Sequence, residues 1–358
     1  MAEEERATGH GARKLILRLA LCLFVIAALG GLFKVALSKI RVHRNARLPL
    51  AYVTNERDGT LTVINTLTDT VVQTVRLNGR ARGIRLSPDE RTVYVAVSIP
   101  TDKRARPAED QIAAVDAASG EVLTSYNAGT DPEQFDLSPD GSRFYIANED
   151  AGTVSVTDLQ ANKVIATEVV GLEPEGVARS PDGRWVYITS ESSSTVAVLD
   201  AQTNRIVKTF MVGARPREAA FTPDGARAYV TAENGASLSV VDAQSHTVLN
   251  TIRLPREENQ QLKPKGIVVS PDGARLYVAT GRGNSVIVLD AASGAVLATI
   301  AVGQRPWGLA LTPDGKKIYT ANGLSNDISV IDTATARVTA TIKAGDGPWG
   351  IAIKRAAP

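Results

Sequence analysis

From residue 51 onward, apolar and polar positions alternate in short runs, each closed by Gly, Pro, Asp or Asn. "WVYITS" (185–190), "STVAVLD" (194–200), "RIVKTFMV" (205–212) and "REAAFT" (217–222) follow one another in this way. Val, Ile, Thr and Tyr on a two-residue period predict strands, and no 3.6-residue helical period appears after residue 50. The start of the chain is patterned differently. Leu15 to Leu37 is apolar apart from Arg18 and Lys34, each close to an end. A helix of that length spans roughly 34 Å, enough to cross a bilayer core.

The strand runs repeat as a unit. Tyr52, Tyr94, Tyr145, Tyr187, Tyr229, Tyr277 and Tyr319 each open a β-rich run, spaced 42, 51, 42, 42, 48 and 42 residues apart. Four strands and their turns in about 42 residues is the period of a propeller blade. Pro-Asp pairs recur at Pro88, Pro139, Pro181, Pro223, Pro271 and Pro313, six for seven units. Proline presets φ in a tight turn and Asp caps it, so each pair predicts the join between a blade's innermost strand and its second strand. The first unit starts at a second strand, "LAYVTN", and the last stops after an innermost one, "WGIAIK". Together they make one complete blade and hide two strand edges. The predicted fold is all-β, a monomeric seven-bladed propeller over 51–358. A tail (1–14), a transmembrane or signal-anchor helix (15–38) and a basic linker (39–50) precede it.

Charge sharpens the division. Residues 1–50 hold nine Lys/Arg against three Asp/Glu, which leaves the body slightly acidic, with 31 against 35. Nothing in that balance points to nucleic acid. The apolar segment predicts export, either as a single-pass anchor through 15–37 with the propeller in the periplasm or outside the cell, or as a cleaved signal releasing a periplasmic protein. Cys22, the one cysteine, lies within that segment, so the body carries no disulfide.

Candidate chemistry gathers where innermost strands begin. The residue after the Pro, or its equivalent, is in turn Arg82, Glu133, Glu175, Arg217, Lys265, Trp307 and Trp349. Two residues earlier stand Arg80, Asp131, Glu173, Arg215, Lys263, Arg305 and Gly347, and Glu149 and Glu191 at second-strand ends add to the acidic side. Both enlarged loops, "SIPTDKRARPAEDQ" (98–111) and "PREENQQLKP" (255–264), belong to the same face. The candidate binding rim is Arg80, Arg82, Glu133, Glu175, Arg215, Arg217, Lys263, Lys265, Arg305, Trp307 and Trp349. Three readings of it stand open: cross-blade ion pairs with tryptophan wedges, a docking site for a protein, or a seat for a planar anion such as a quinone. Histidine is scarce, with His10 and His43 outside the repeat and His246 in a turn on the far face, so no imidazole ligand set is expected at the pore. No metal, catalytic residue or cofactor is assigned, although the acid-rich loops "TDPEQ" and "GLEPEG" have the oxygen ligands a hard cation takes.

The Tyr-Val-Thr-Asn-like runs, literal at Tyr52-Val53-Thr54-Asn55, resemble the YVTN family of seven-bladed propellers over roughly residues 51–354. "DPEQFDLSPDGSRFYIANED", "EPEGVARSPDG" and "GQRPWGLALTPDGKKIYTANGLSNDISVID" look most like its subgroup associated with pyrroloquinoline-quinone-dependent catabolism. That resemblance implies an exported, non-enzymatic propeller linked to periplasmic quinoprotein alcohol oxidation. The expected function is therefore an extracytoplasmic binding scaffold for an unidentified protein partner, with a quinoprotein dehydrogenase system as the implied one. The alternative is a lactonase- or lyase-type enzyme using rim carboxylates and a divalent cation.

Overall fold

The computed structural model describes residues 45, 47–99, 110–255 and 261–356. The expected membrane segment, most of the linker and the tips of both enlarged loops lie outside the described residues. Among the described residues, no helix is long and apolar enough to cross a membrane. They form seven four-stranded antiparallel sheets, arranged as a seven-bladed propeller, and one short 3-10 turn at Gly281–Gly283.

One sheet joins the two ends of the repeat. Its order is β28 (Pro348–Ile353), β1 (Leu50–Asn55), β2 (Thr60–Asn65) and β3 (Thr70–Arg76), with Ala51 opposite Ile353 and Val53 opposite Ile351. The half-repeats close the ring as expected from the count of Pro-Asp turns.

Burial explains the hydrophobic pattern. Second and third strands such as β13 (Trp185–Ser190) and β14 (Thr195–Asp200) are buried along most of their length, whereas the outermost β15 (Arg205–Met211) alternates between exposed and half-buried residues. The core sits between neighbouring sheets: Tyr187, Val196 and Val198 pack against Ala228, Val230 and Val241 of the next blade. Each buried aliphatic side chain contributes on the order of 1.5–3 kcal/mol.

The seven tyrosines begin second strands, and several hydroxyls reach a turn of the following blade. Tyr52 donates to the Ala117 carbonyl at 2.7 Å and Tyr229 to that of Ala291 at 2.8 Å. Tyr187 bonds His246 Nδ1 at 2.8 Å, and Tyr319 bonds Asp69. The Pro-Asp turns are built as the sequence predicts. Asp140 accepts from the Ser138 hydroxyl at 2.5 Å and the Ser142 N–H at 3.0 Å, and Gly141 takes the left-handed φ of 70°. Those bonds hold the Asp140 carboxyl down to about 2. The repeated Asp-x-x-Thr/Ser units are turn caps too, since the Thr203 N–H donates to Asp200 at 3.0 Å and the Ser245 N–H to Asp242 at 2.7 Å.

Where innermost strands converge, side chains are almost eliminated. The position after each rim residue is Gly83, Gln134, Gly176, Glu218, Gly266, Gly308 and Gly350. A Cβ on Gly176 would lie 2.2 Å from the Arg217 carbonyl oxygen, and one on Gly308 would lie 2.5 Å from that of Trp349. Glycine lets adjacent inner strands touch, and Gln134 and Glu218 are left to fill the channel between them.

Candidate functional site

The seven inner strands begin on one face, so their first residues form a ring at the pore mouth. The structure brings the predicted rim residues together there and buries most of them. Arg82 is 1% exposed, Lys265 4%, Glu175 5%, Glu133, Arg217 and Trp349 each 6%. Burial at this level requires pairing, and the pairing runs from blade to blade.

Arg82 is the hub of the acidic arc. Its guanidinium bonds both Asp131 and Glu133, lies 3.7 Å from Glu149, and donates to Ser98 Oγ at 2.6 Å. Burial pushes the Glu133 carboxyl well up, with Glu175 adding to the effect, and burial raises Glu149 as well. Burial acts the same way on Asp131, but Arg82 and Ser98 overcome it and hold that carboxyl below its usual range.

A second arc centres on Arg217, which pairs with Glu175 at 2.7 Å, with Glu191, and at 3.6 Å with Glu233. Arg215 shares Glu191 and lies 3.4 Å from Glu233. Lys265 reaches Glu233 at 3.1 Å and sits 3.5 Å from the centre of the Trp307 ring. Burial and the neighbouring Arg217 depress the Lys265 ammonium to about 7. Trp307 and Trp349 lie nearly parallel, 24° apart, with ring centres separated by 6.0 Å. Of the outer positions, Arg80 pairs with Glu56 at 2.5 Å, Lys263 donates to Asn234 Oδ1 at 2.7 Å, and Glu173 bonds the Ser192 hydroxyl.

Beneath the ring, Glu175, Arg217, Glu218, Lys265, Trp307 and Trp349 surround a cavity of about 20 Å³, room for roughly one water molecule. A cavity of that size admits no larger ligand, which would rest on the mouth. Glu218 accepts the Ile267 N–H at 3.2 Å, and burial lifts its carboxyl to about 7. The rim reading did not include Glu218 or Glu233. Glu233 was within reach from the sequence, because Glu56, Glu149, Glu191 and Glu233 all stand four residues after a strand-leading tyrosine. Glu218 was signalled only as an exception to glycine.

Carboxylate oxygens of Asp131, Glu133 and Glu149 all lie within 4.8 Å of one another, the spacing of a cation site. Arg82 contacts all three, so that cluster is already charge-compensated and does not fit a divalent ion alongside the guanidinium. A haem ligand fits no better at the pore. His246, the one histidine among the described residues, is held in a turn on the far face by Tyr187 and packs edge-on against Trp185 with ring centres 4.7 Å apart.

A family profile described as lactonase, 7-bladed beta-propeller, matches residues 205–354, and one described as cytochrome D1 heme domain matches residues 107–220. No curated protein matches the chain. Among solved structures, hydrazine synthase of Kuenenia stuttgartiensis is 22% identical, with a TM-score of 0.69, covering 79% of this chain and 92% of that one. A functionally unknown protein from Desulfotomaculum acetoxidans is 20% identical (TM-score 0.71, 86% and 99% covered). A candidate 6-phosphogluconolactonase from Bacteroides uniformis is 19% identical (TM-score 0.69, 86% and 99% covered). At these identities the structural likenesses establish the fold. The lactonase match corrects the expectation of a non-enzymatic scaffold, because it spans the blades that carry Arg217, Glu218, Glu233, Lys265, Trp307 and Trp349. That expectation treated the rim as a docking surface. Most of its charged groups are instead buried, and one of them, Lys265, is poised near neutral pH beside Glu218, which is poised there too.

Proposed function

We propose that this chain is a lactone-hydrolysing propeller enzyme whose reaction takes place at the pore mouth. The observation that carries the reading is the pair Glu218 and Lys265, both shifted to about 7 and lining one water-sized cavity. Acid–base catalysis is most effective when the pKa lies near the operating pH. The lactonase match over residues 205–354 supports the same class.

In this reading the lactone rests over the mouth with its carbonyl above the cavity. Glu218 takes a proton from a water in that cavity, and the hydroxide adds to the carbonyl carbon. Lys265 and Arg217 face the oxyanion that forms, in a site that is largely dry, where such charges act strongly. Collapse breaks the acyl C–O bond, and the ring oxygen leaves with the proton returned by Glu218, giving the hydroxy acid. The Arg82 cluster holds the opposite arc rigid, and no step runs through a metal.

Purified protein titrated in a pH-stat against a panel of aldono-1,4- and 1,5-lactones should open at least one far faster than the spontaneous rate. Glu218→Gln should lower kcat by about 10²–10⁴-fold and remove the acidic limb of the kcat profile. Rates no higher than the blank across the panel would overturn the reading.

A further inference from the structure

Arg305 differs from the other arginines of the rim. Arg80, Arg82, Arg215 and Arg217 each meet a carboxylate. Among the described residues, no ion pair or hydrogen-bond acceptor meets the Arg305 guanidinium, and its Nε is buried without a partner. What it does meet is the Trp307 ring, 5.0 Å from guanidinium carbon to ring centre. Two more cations converge on that ring, Lys265 Nζ at 3.5 Å and Arg217 at 5.3 Å. The Nε of Arg217 is buried without a hydrogen bond too, although Glu233 lies 3.6 Å from it.

The nearby carboxylates do not balance this group. Glu175, Glu191 and Glu233 are engaged by Arg215, Arg217 and Lys265, and Glu218 accepts a backbone N–H deeper in the channel. Arg305 is therefore a positive charge with directed donors and no acceptor among the described residues, beside an aromatic ring at the entrance to the proposed reaction site. A buried donor without a partner is costly, and a guanidinium fork matches the oxygens of a carboxylate or phosphate.

We propose that Arg305, with Arg217 and Lys265 around Trp307, forms an anion subsite that holds the carboxylate or phosphate group of the ligand. Its use in selecting an anionic lactone rests on the hydrolase reading; its existence as a binding site does not. The two bound-anion chemistries are distinguishable by which free anion the subsite takes.

Intrinsic fluorescence reads the site directly, because two of the three tryptophans, Trp307 and Trp349, lie at the mouth. The full chain is titrated with inorganic phosphate, with D-gluconate, and with D-glucose as the uncharged control, at constant ionic strength. Isothermal calorimetry repeats each titration. A saturable response to phosphate alone assigns a phosphate seat, one to gluconate alone a carboxylate seat, and one to both a general anion seat; glucose gives none. Arg305→Ala should weaken binding at least tenfold, Arg305→Lys should recover only part of it because an ammonium keeps the charge but not the fork, and Arg355→Ala on the opposite face should leave it unchanged. Equal affinity in Arg305→Ala, or no saturable binding of either anion by both methods, overturns the subsite. Anion binding without turnover of any lactone would sink the hydrolase reading alone. Turnover of lactones without anion binding would sink the subsite alone.

Discussion

Glu218 shows how far a single side chain can depart from its neighbours in the repeat. Five equivalent positions are glycine, so the channel has space for one long carboxylate, which is half-buried there. Its folded pKa of about 7 lies above the ordinary 4.5, so the native state holds the proton more tightly than the unfolded chain. Wild-type stability should therefore be fully present below about 4.5 and should fall as pH rises to about 7. Gln does not titrate and can still accept the Ile267 N–H. Glu218→Gln should thus match wild type at pH 4.5 and exceed it at pH 8 by on the order of 2–3 kcal/mol, read from urea unfolding at both values. A constant difference across pH would show that Glu218 is already solvated. Lys265, a base with a depressed pKa, works in the opposite direction, so its contribution rises between about 7 and its ordinary 10.5. At this scale the sequence was only partly legible. Prolines marked where Glu133, Glu175, Arg217, Lys265 and the tryptophans would stand, but which acids would share which arginine depends on contacts between neighbouring blades, such as Arg82 with Glu149 and Arg217 with Glu191.

At the scale of the strand, legibility was nearly complete, and the reason is geometric. Each strand-leading tyrosine must fill the gap to the next sheet and, in several blades, reach its turn, so the same residue recurs at the same register. Each inner strand must lie against its neighbour, so glycine recurs after the rim residue. These positions are sensitive to one methyl group. In Gly176→Ala the new Cβ would meet the Arg217 carbonyl oxygen at 2.2 Å and Thr189 Oγ1 at 2.9 Å, the first a backbone atom that cannot rotate away. The expected loss is about 1–3 kcal/mol, the usual range for overpacking, together with a weaker Glu175–Arg217 arc. Denaturant melts of Gly176→Ala against wild type measure it, and an unchanged midpoint would mean the inner strands are not in contact there. The alternation that located β15 and its counterparts needs no such precision, since an outer strand faces water.

For the whole molecule, the prediction concerns closure. Removing residues 349–358 deletes most of β28 and leaves β1 as an open inner edge, while Trp349 vanishes from the ring. Such a chain should lose its single cooperative transition or melt well below wild type by calorimetry, whereas a clean transition near the wild-type temperature would show that the ring holds without its last strand. The ring was legible because a half-repeat at each end admits one economical pairing. Closure also sets a schedule. β1 and β28 are neighbours in space but about 300 residues apart along the chain. At synthesis rates of roughly 5–20 residues per second, β1 waits about 15–60 s for the strand that covers it. Through that interval its hairpin partners can form, yet its pore-side edge stays available to any passing strand, including that of another nascent chain. The vulnerable period of this protein is therefore its own translation, and whatever shields that edge until β28 has been made protects the chain from pairing with the wrong strand.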